Sequence, residues 1–204
     1  MYRGMERLLA ILLLFGSGTA AGAGWFEFRD YDPPPYAQAR AEFVVQLARQ
    51  HGKADTLVLG DSLIEQTDLT DACGRTFNAG IGGARIADVA GALPDLLAAT
   101  QPDRVVLAIG ANHFAAGDEM PVFERDYAPL VDALGKRQVI LVGVVNSAAA
   151  SRLVEAEAER RGMPYVAPVV GHTKADGLHH DVEGSQLYRE AIAAGCRGIP
   201  LSAS

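Results

Sequence analysis

The chain has 204 residues, of which 49% are apolar and 21% are charged, and its formal charge at pH 7 is −7. This length and apolar content predict a globular protein with one ordinary domain and a sizeable core. An acidic chain with no cluster of lysine and arginine argues against nucleic acid or an anionic membrane surface as the main partner, so a neutral substrate fits better.

Residues 1–23 have the layout of an export signal. Two arginines precede the apolar run at 8–15, and small residues follow it. Because this run is short for a bilayer span, we expect the signal to be cleaved, after Ala20 or after Ala23, where small residues stand at the required spacing. The sequence therefore predicts a periplasmic or secreted protein, held at the membrane only if the signal stays uncleaved.

The rest of the chain alternates apolar runs of strand length with helical patterns, after an N-terminal segment at 24–36 that contains three consecutive prolines. The predicted strands lie at 56–59, 76–78, 105–109, 139–145 and 165–167. The predicted helices lie at 37–50, 62–70, 85–99, 127–134, 148–161 and 183–194. This alternation is typical of βαβ units, so we expect residues 37–204 to form an α/β domain with a five-stranded parallel sheet between helical layers.

Chemically useful residues follow the ends of these strands. Ser62 follows the first strand, Gly83 the second and Asn112 the third, while Asp176 and His179 lie in the loop after the fifth. The carboxyl ends of parallel strands meet at one edge of a sheet, and ligands bind along that edge. We therefore expect these five residues to come together.

Acyl transfer needs a hydroxyl nucleophile, a base, a group that fixes the tautomer of the base, and donors for the oxyanion. Ser62, His179 and Asp176 can fill the first three roles. The backbone N–H groups of Ser62 and Gly83, together with the amide of Asn112, can fill the fourth. Neither Cys73 nor Cys196 has metal-ligand spacing to another cysteine or to a histidine, so we expect no zinc site. Acyl transfer by these residues requires no metal or organic cofactor.

Two other interpretations of the same segments are open. Asp61 and Ser62 would also serve as plain helix caps, because both side chains accept from free N–H groups at a helix start. The glycines at 80–83 could begin a dinucleotide-binding fingerprint, but Arg85 stands where that fingerprint requires its third glycine. The spacing therefore argues against the nucleotide site.

In four segments the sequence resembles the GDSL, or SGNH, hydrolase superfamily, and they occur in the order typical of that family. They are Gly-Asp-Ser-Leu at 60–63, Asn-Ala-Gly-Ile-Gly-Gly at 78–83, Gly-Ala-Asn at 110–112, and Asp-Gly-Leu-His at 176–179. The resemblance implies a flavodoxin-like, three-layer α/β/α fold and serine esterase chemistry without a metal.

The resemblance also implies a role for each matching residue. Ser62 would be the nucleophile, Gly83 and Asn112 oxyanion donors, Asp176 the orienting acid and His179 the base. The sequence departs from the family at two positions, where His113 replaces the usual Asp after Gly-x-Asn and His180 replaces a frequent Pro.

Neighbouring histidines on a loop diverge, so only one of the pair at 179–180 can face the site. We choose His179 for its spacing to Asp176, with Asp181 as an alternative orienting acid for His180. His113 and His180 are candidate substrate-lining residues, although His113 also suits an ordinary loop position. We assign Glu65, three residues after the nucleophile, to the first turn of a helix, where its charge complements the dipole.

The two cysteines stand at matching ends of the predicted elements. Cys73 lies just before the second strand and Cys196 just after the last helix. Because helices of such a sheet run antiparallel to its strands, both cysteines should lie at the edge opposite the site. In an oxidising compartment we expect them to form a disulfide.

These features predict an exported esterase that cleaves a short acyl group from a small-molecule or carbohydrate ester. Acetyl is the acyl group that we expect. The domain is compact and carries no long apolar insertion for a lid or a lipid tunnel. An alternative with the same site is an envelope carbohydrate O-acetyltransferase. An alternative of another class is a non-catalytic envelope-binding module on a hydrolase scaffold.

Overall fold

The computed structural model describes residues 35–115, 117 and 119–198. Seven helices are present in these residues: α1 (Tyr36–His51), α2 (Ser62–Glu65), α3 (Ile86–Thr100), α4 (Ala111–Phe114), α5 (Met120–Ala133), α6 (Ala148–Arg161) and α7 (Val182–Arg197). They connect five strands: β1 (Thr56–Gly60), β2 (Thr76–Gly80), β3 (Arg104–Ala108), β4 (Gln138–Val142) and β5 (Tyr165–Val166). The predicted export signal and most of the segment at 24–36 lie outside the described residues.

All five strands are parallel, in the order β2-β1-β3-β4-β5. This is the flavodoxin-like order, in which the chain reverses its direction of growth between β1 and β3. The predicted five-stranded parallel sheet is therefore confirmed. The crevice at this reversal is the preferred ligand position in such sheets, and β1 and β3 both end there.

The register brings three strand ends to one level. Gly60, the last residue of β1, pairs with Gly80 at the end of β2 and with Ala108 at the end of β3. The loops that follow these three strands therefore begin side by side. This alignment places the segment that begins at Ser62 between the glycine loop and the loop that contains Asn112.

Both faces of the sheet are buried, which explains why the strands have continuous apolar sequences. Alternate residues of each strand point to opposite faces. On β1, Leu57 and Leu59 pack in the larger cluster with α1, α3, α5 and α6, whereas Val58 packs in the smaller cluster with α2 and α7. The two clusters are the helical layers of an α/β/α sandwich.

The helix that begins at Ser62 is shorter than the sequence pattern predicted. It ends at Glu65 instead of continuing to residue 70. The side-chain amide of Asn78 on β2 donates to the carbonyls of Ile64 and Thr67 at 2.8 and 3.0 Å. These bonds satisfy carbonyls that a longer helix would have used, so a contact from a neighbouring strand ends the helix.

The predicted disulfide is present and joins Cys73 to Cys196, with their Cα atoms 5.6 Å apart. It connects the end of α7 to the segment before β2. The hydroxyl of Thr56, the first residue of β1, donates to the carbonyl of Cys73 at 2.7 Å. The disulfide therefore lies at the amino edge of the sheet, opposite the edge where Ser62 follows β1.

None of the helices in the described residues has the length and apolar character needed to cross a bilayer. Within the same residues, no group of three or more histidine, cysteine, aspartate or glutamate side chains has an arrangement that could hold a metal ion.

Candidate active site

Ser62 is the first residue of α2, immediately after β1. The turn into α2 is tight, because a Cβ atom at Gly60 would overlap the side chain of Ile64 and the carbonyl of Ala108. Asp61 caps the helix by accepting from the backbone N–H of Leu63 at 3.1 Å. The cap is therefore Asp61, and the hydroxyl of Ser62 is left for another partner.

That partner is His179, which in turn contacts Asp176. The Nε2 atom of His179 lies 2.8 Å from the hydroxyl oxygen of Ser62, and its Nδ1 atom lies 2.8 Å from Oδ2 of Asp176. An ionised carboxylate can only accept, so Nδ1 carries the proton and Nε2 is free to accept from the Ser62 hydroxyl. The fold thus brings together three residues that span 117 positions of sequence.

Asp176 is held ionised by local hydrogen bonds. The backbone N–H of Leu178 and the ring and backbone N–H groups of His179 lower its pKa to about 2, with Leu178 as the largest cause. Both backbone groups donate to Oδ1 at 2.9 Å, which leaves Oδ2 for the imidazole. The carboxylate is therefore charged and fixed in direction at any pH near neutrality.

The loop that presents His179 is a small hairpin. Thr173 and His180 form an antiparallel bridge, and the N–H of Lys174 donates to the carbonyl of His179 at 2.7 Å. The amino group of Lys174 also donates to Oε1 of Gln66, just after α2, at 2.7 Å. Hydrogen bonds therefore hold the hairpin internally and also join it to the residue that follows α2.

Gly83 and Asn112 lie beside Ser62 in a groove of about 540 Å³. Gly83 has φ of +74°, a left-handed conformation that glycine adopts without strain. The amide nitrogen of Asn112 donates one hydrogen to the carbonyl of Ala84 at 2.9 Å. Among the described residues, the second hydrogen has no acceptor, so Gly83 and Asn112 can both donate into the groove.

Tyr36, Glu65 and Gln66 complete the walls of this groove. Sequence patterns did not indicate Tyr36 or Gln66, because both reach the site through tertiary packing alone. A smaller depression of about 280 Å³ lies on the other side of His179 and is lined in part by Phe114, Asn146 and Leu178. His179 therefore stands between two spaces that could hold the two halves of an ester.

Asp61 lies directly before Ser62 and is only 1% exposed. Besides its cap contact, its Oδ2 atom accepts from the N–H of Ala111 at 3.2 Å. Burial raises the pKa of Asp61 from 3.8 to about 6, although hydrogen bonds from Leu63, Ala111 and Gly110 oppose this shift. Asp61 thus connects the turn at Ser62 with the loop that contains Asn112.

His113 does not line the groove, which corrects the suggestion that it borders the substrate. It is 3% exposed, its ring packs edge-on against Phe123, and its Nε2 atom accepts from the N–H of Ile86 at 3.3 Å. Its Nδ1 atom faces the carboxylate of Glu119 at 3.3 Å. Burial is the largest influence on the pKa of His113 and lowers it, whereas the carboxylate of Glu119 acts in the opposite direction and raises it. His113 instead joins the Asn112 loop to the start of α3.

His180 is also buried and does not line the groove. Its ring packs on Tyr188, and its Nε2 atom lies 3.2 Å from the carbonyl of Val169. Asp181 caps α7 by accepting from Gly184 at 2.8 Å, so it does not orient His180. Both side chains therefore hold the base of the hairpin, while His179 faces the groove.

Comparisons with known proteins agree with this architecture. No protein-family model and no curated protein matches the sequence. Solved structures do match, among them a lipase/acylhydrolase from Enterococcus faecalis at 19% identity and a TM-score of 0.61, covering 73% of this chain and 99% of that one.

A GDSL-like lipase from Bacteroides thetaiotaomicron matches at 17% identity and a TM-score of 0.64, over 80% of this chain and 99% of that one. A catalytic mutant of an acetylxylan esterase from Geobacillus stearothermophilus matches at 17% identity and a TM-score of 0.59, over 75% of this chain and 98% of that one. The chain therefore has the fold of the GDSL, or SGNH, hydrolases.

Proposed function

We propose that the protein is an exported serine esterase that hydrolyses short-chain acyl esters and prefers acetyl esters. The observation that carries this proposal is the continuous hydrogen-bonded series from Asp176 through His179 to Ser62 at the wall of a groove. A serine that only caps a helix has no need of an imidazole whose other nitrogen is held by a carboxylate.

The reaction follows from the positions of the protons. Nε2 of His179 takes the hydroxyl proton of Ser62 as its oxygen attacks the ester carbonyl, and the imidazolium then gives this proton to the departing alcohol. Asp176 keeps the proton on Nδ1 and stabilises the imidazolium. Water, deprotonated by His179, then attacks the acyl-enzyme, and the acid leaves as Ser62 regains its proton.

We assign the oxyanion donors to groups that line the same groove as Ser62. The backbone N–H groups of Ser62 and Gly83 and the amide of Asn112 would surround the negative oxygen of the tetrahedral intermediate. Loss of one such donor lowers turnover by about 10²- to 10³-fold in comparable enzymes. These fixed dipoles would therefore contribute much of the rate.

The preference for a short acyl group is supported by the shape and lining of the site. In the part of the chain that the structure describes, the groove wall consists of polar residues and glycine together with Tyr36, and these residues form no deep apolar tunnel for a long chain. Several matching structures are acylhydrolases, and two are acetylxylan esterases. We propose a small-molecule or carbohydrate ester as the substrate.

Export is proposed from the pattern of residues 1–23, and the disulfide supports it. A disulfide between Cys73 and Cys196 persists in an oxidising compartment such as the periplasm or the medium. Expression of the full chain, followed by fractionation and intact-mass analysis, would test this proposal. Exported protein should lack either the first 20 or the first 23 residues.

The enzymatic proposal is tested with a fluorophosphonate probe and a series of p-nitrophenyl esters from acetate to laurate. Wild type should be labelled and should prefer acetate, whereas Ser62→Ala should lose labelling and at least about 10³-fold of its turnover. Ser185→Ala, in α7 and away from the groove lining, is the matched control and should behave as wild type. A folded wild-type protein that is neither labelled nor active would refute the proposal, and acyl transfer to an added sugar in preference to water would make it an acyltransferase.

A further inference from the structure

Glu65 makes contacts that a helix-end charge would not require. Its side chain is 17% exposed and lies at the wall of the groove. Its Oε2 atom accepts from the backbone N–H of Gly82 at 2.5 Å. Its Oε1 atom accepts from the hydroxyl of Tyr36 at 2.7 Å and pairs with Nε of Arg40 at 3.1 Å. Glu65 lies in the first turn of α2, as expected, and it also contacts the loop after β2 and helix α1.

The glycine loop is shaped around this carboxylate. A Cβ atom at Gly80 would overlap the backbone of Glu65, and one at Gly82 would overlap the carboxylate of Glu65 and the ring of Tyr36. Neither glycine has positive φ. Space for Glu65, rather than an unusual backbone conformation, is thus the reason for glycine at these two positions.

Gly83 differs, because it has positive φ and a Cβ atom there would meet no neighbour within 4 Å. Its backbone is held through the residues around it. Arg40 donates to the carbonyl of Gly80 at 3.3 Å and Glu65 accepts from Gly82, while Asn112 donates to Ala84 on the other side. The N–H of Ala84 also donates to the carbonyl of Ile81 at 3.0 Å, which closes a turn over Gly82 and Gly83. The oxyanion donor is therefore a glycine in a closed turn whose neighbours are held by side chains.

We propose that Glu65 is a positioning residue of the oxyanion hole: by fixing the N–H of Gly82, it aims the N–H of Gly83 at the substrate. This inference rests on the proposed esterase function and names a further residue of the same site. Glu65 itself touches no reacting atom. Tyr36 and Arg40 keep its carboxylate in place, so the restraint extends from α1 through Glu65 to the donor.

The test compares Glu65→Gln, Glu65→Ala and wild type, with Glu42→Gln on the exposed face of α1 as the matched control. Gln keeps the size of the side chain and one acceptor, so it guards against misfolding. Displacing a reacting group or donor by about 1 Å costs up to about 10²-fold in rate, so we expect kcat to fall about tenfold in Glu65→Gln and about 100-fold in Glu65→Ala. KM for p-nitrophenyl acetate should change by less than about threefold, because uniform substrate binding is not lost.

A second readout separates positioning from stability. A trifluoromethyl ketone adds to Ser62 and forms an oxyanion, so its inhibition constant should rise in parallel with the loss of kcat, while Glu42→Gln should match wild type. Unchanged kcat in Glu65→Ala, a rise of KM alone, or a lower melting temperature with unchanged kcat and inhibition would each overturn the proposal. An inactive, unlabelled wild type would overturn the esterase function and this proposal with it, whereas active wild type with fully active variants would overturn this proposal alone.

Discussion

Replacing Asp61 with Asn tests the buried charge beside Ser62, the proposed nucleophile. The carboxylate is 1% exposed and accepts from Leu63 and Ala111, one N–H on each oxygen. Asn keeps the shape but offers only one oxygen, so one of these N–H groups loses its acceptor. It also removes a charge that the fold keeps out of water. The two effects oppose each other in stability, and only the second depends on pH.

The size of the pH effect on the unfolding free energy follows from the pKa of Asp61, which burial raises from 3.8 to about 6. Because the pKa is higher in the folded state, the folded protein binds more protons between these values, and stability at this site falls as pH rises through them. A pKa shift of about two units lowers the unfolding free energy by about 3 kcal/mol when the carboxylate is ionised. This loss is reached in full above the pKa of the folded state and vanishes below the pKa of the unfolded state. About 2 kcal/mol of it accrues between about pH 4.5 and pH 7.5.

The assay is urea unfolding, followed by circular dichroism, of wild type and Asp61→Asn at these two pH values. The unfolding free energy of the variant minus that of wild type should increase by about 2 kcal/mol from the lower to the higher pH. Asp103 is exposed and lies just before β3, so Asp103→Asn is the control for the pH dependence that any Asp-to-Asn replacement causes. An Asp61→Asn difference that stays constant with pH, or that decreases, would refute the assignment of a buried, titrating carboxylate. At either pH kcat should fall, because Asp61 joins the Ser62 turn to the loop of Asn112.

Three further predictions concern the disulfide, the orienting acid and the buried histidine. Replacing Cys73 and Cys196 with Ser should lower the unfolding free energy by up to about 5 kcal/mol, because the disulfide closes a loop of 123 positions. The fraction of the variant that stays folded should keep its activity. Unchanged urea midpoints would contradict this prediction. Asp176→Asn should lower kcat by about 10²- to 10⁴-fold at nearly wild-type stability, and wild-type turnover would exclude its role in fixing the tautomer of the base. His113→Asn should be less stable than wild type at pH 7.5, and this difference should shrink as pH falls below about 6.5. Burial lowers the pKa of His113 in the folded state, so the wild type loses stability as pH falls below the unfolded pKa, whereas the variant has no such group to protonate. A deficit that grows in acid would refute that sign.

The sequence by itself determined the sheet and the main residues at its edge. Apolar runs of strand length mark buried strands wherever they occur, because both faces of a parallel sheet exclude water. Ser62, Gly83 and Asn112 could be placed together because each follows a strand, and parallel strands share one edge. The cysteine pair followed from the same geometry. These inferences need only the local pattern and the rule that strands and crossover helices run in opposite directions.

Tertiary structure alone decided which neighbours serve the site. The choice between His179 and His180 was settled by the bridge of Thr173 with His180, which turns one ring inward and leaves the other facing Ser62. The end of α2 was decided by an amide from β2. Glu65 acquired its contacts with Tyr36 and Gly82 across 29 and 17 positions of sequence. Such contacts depend on where whole elements pack, and no periodicity within one segment encodes the partner that another segment will bring.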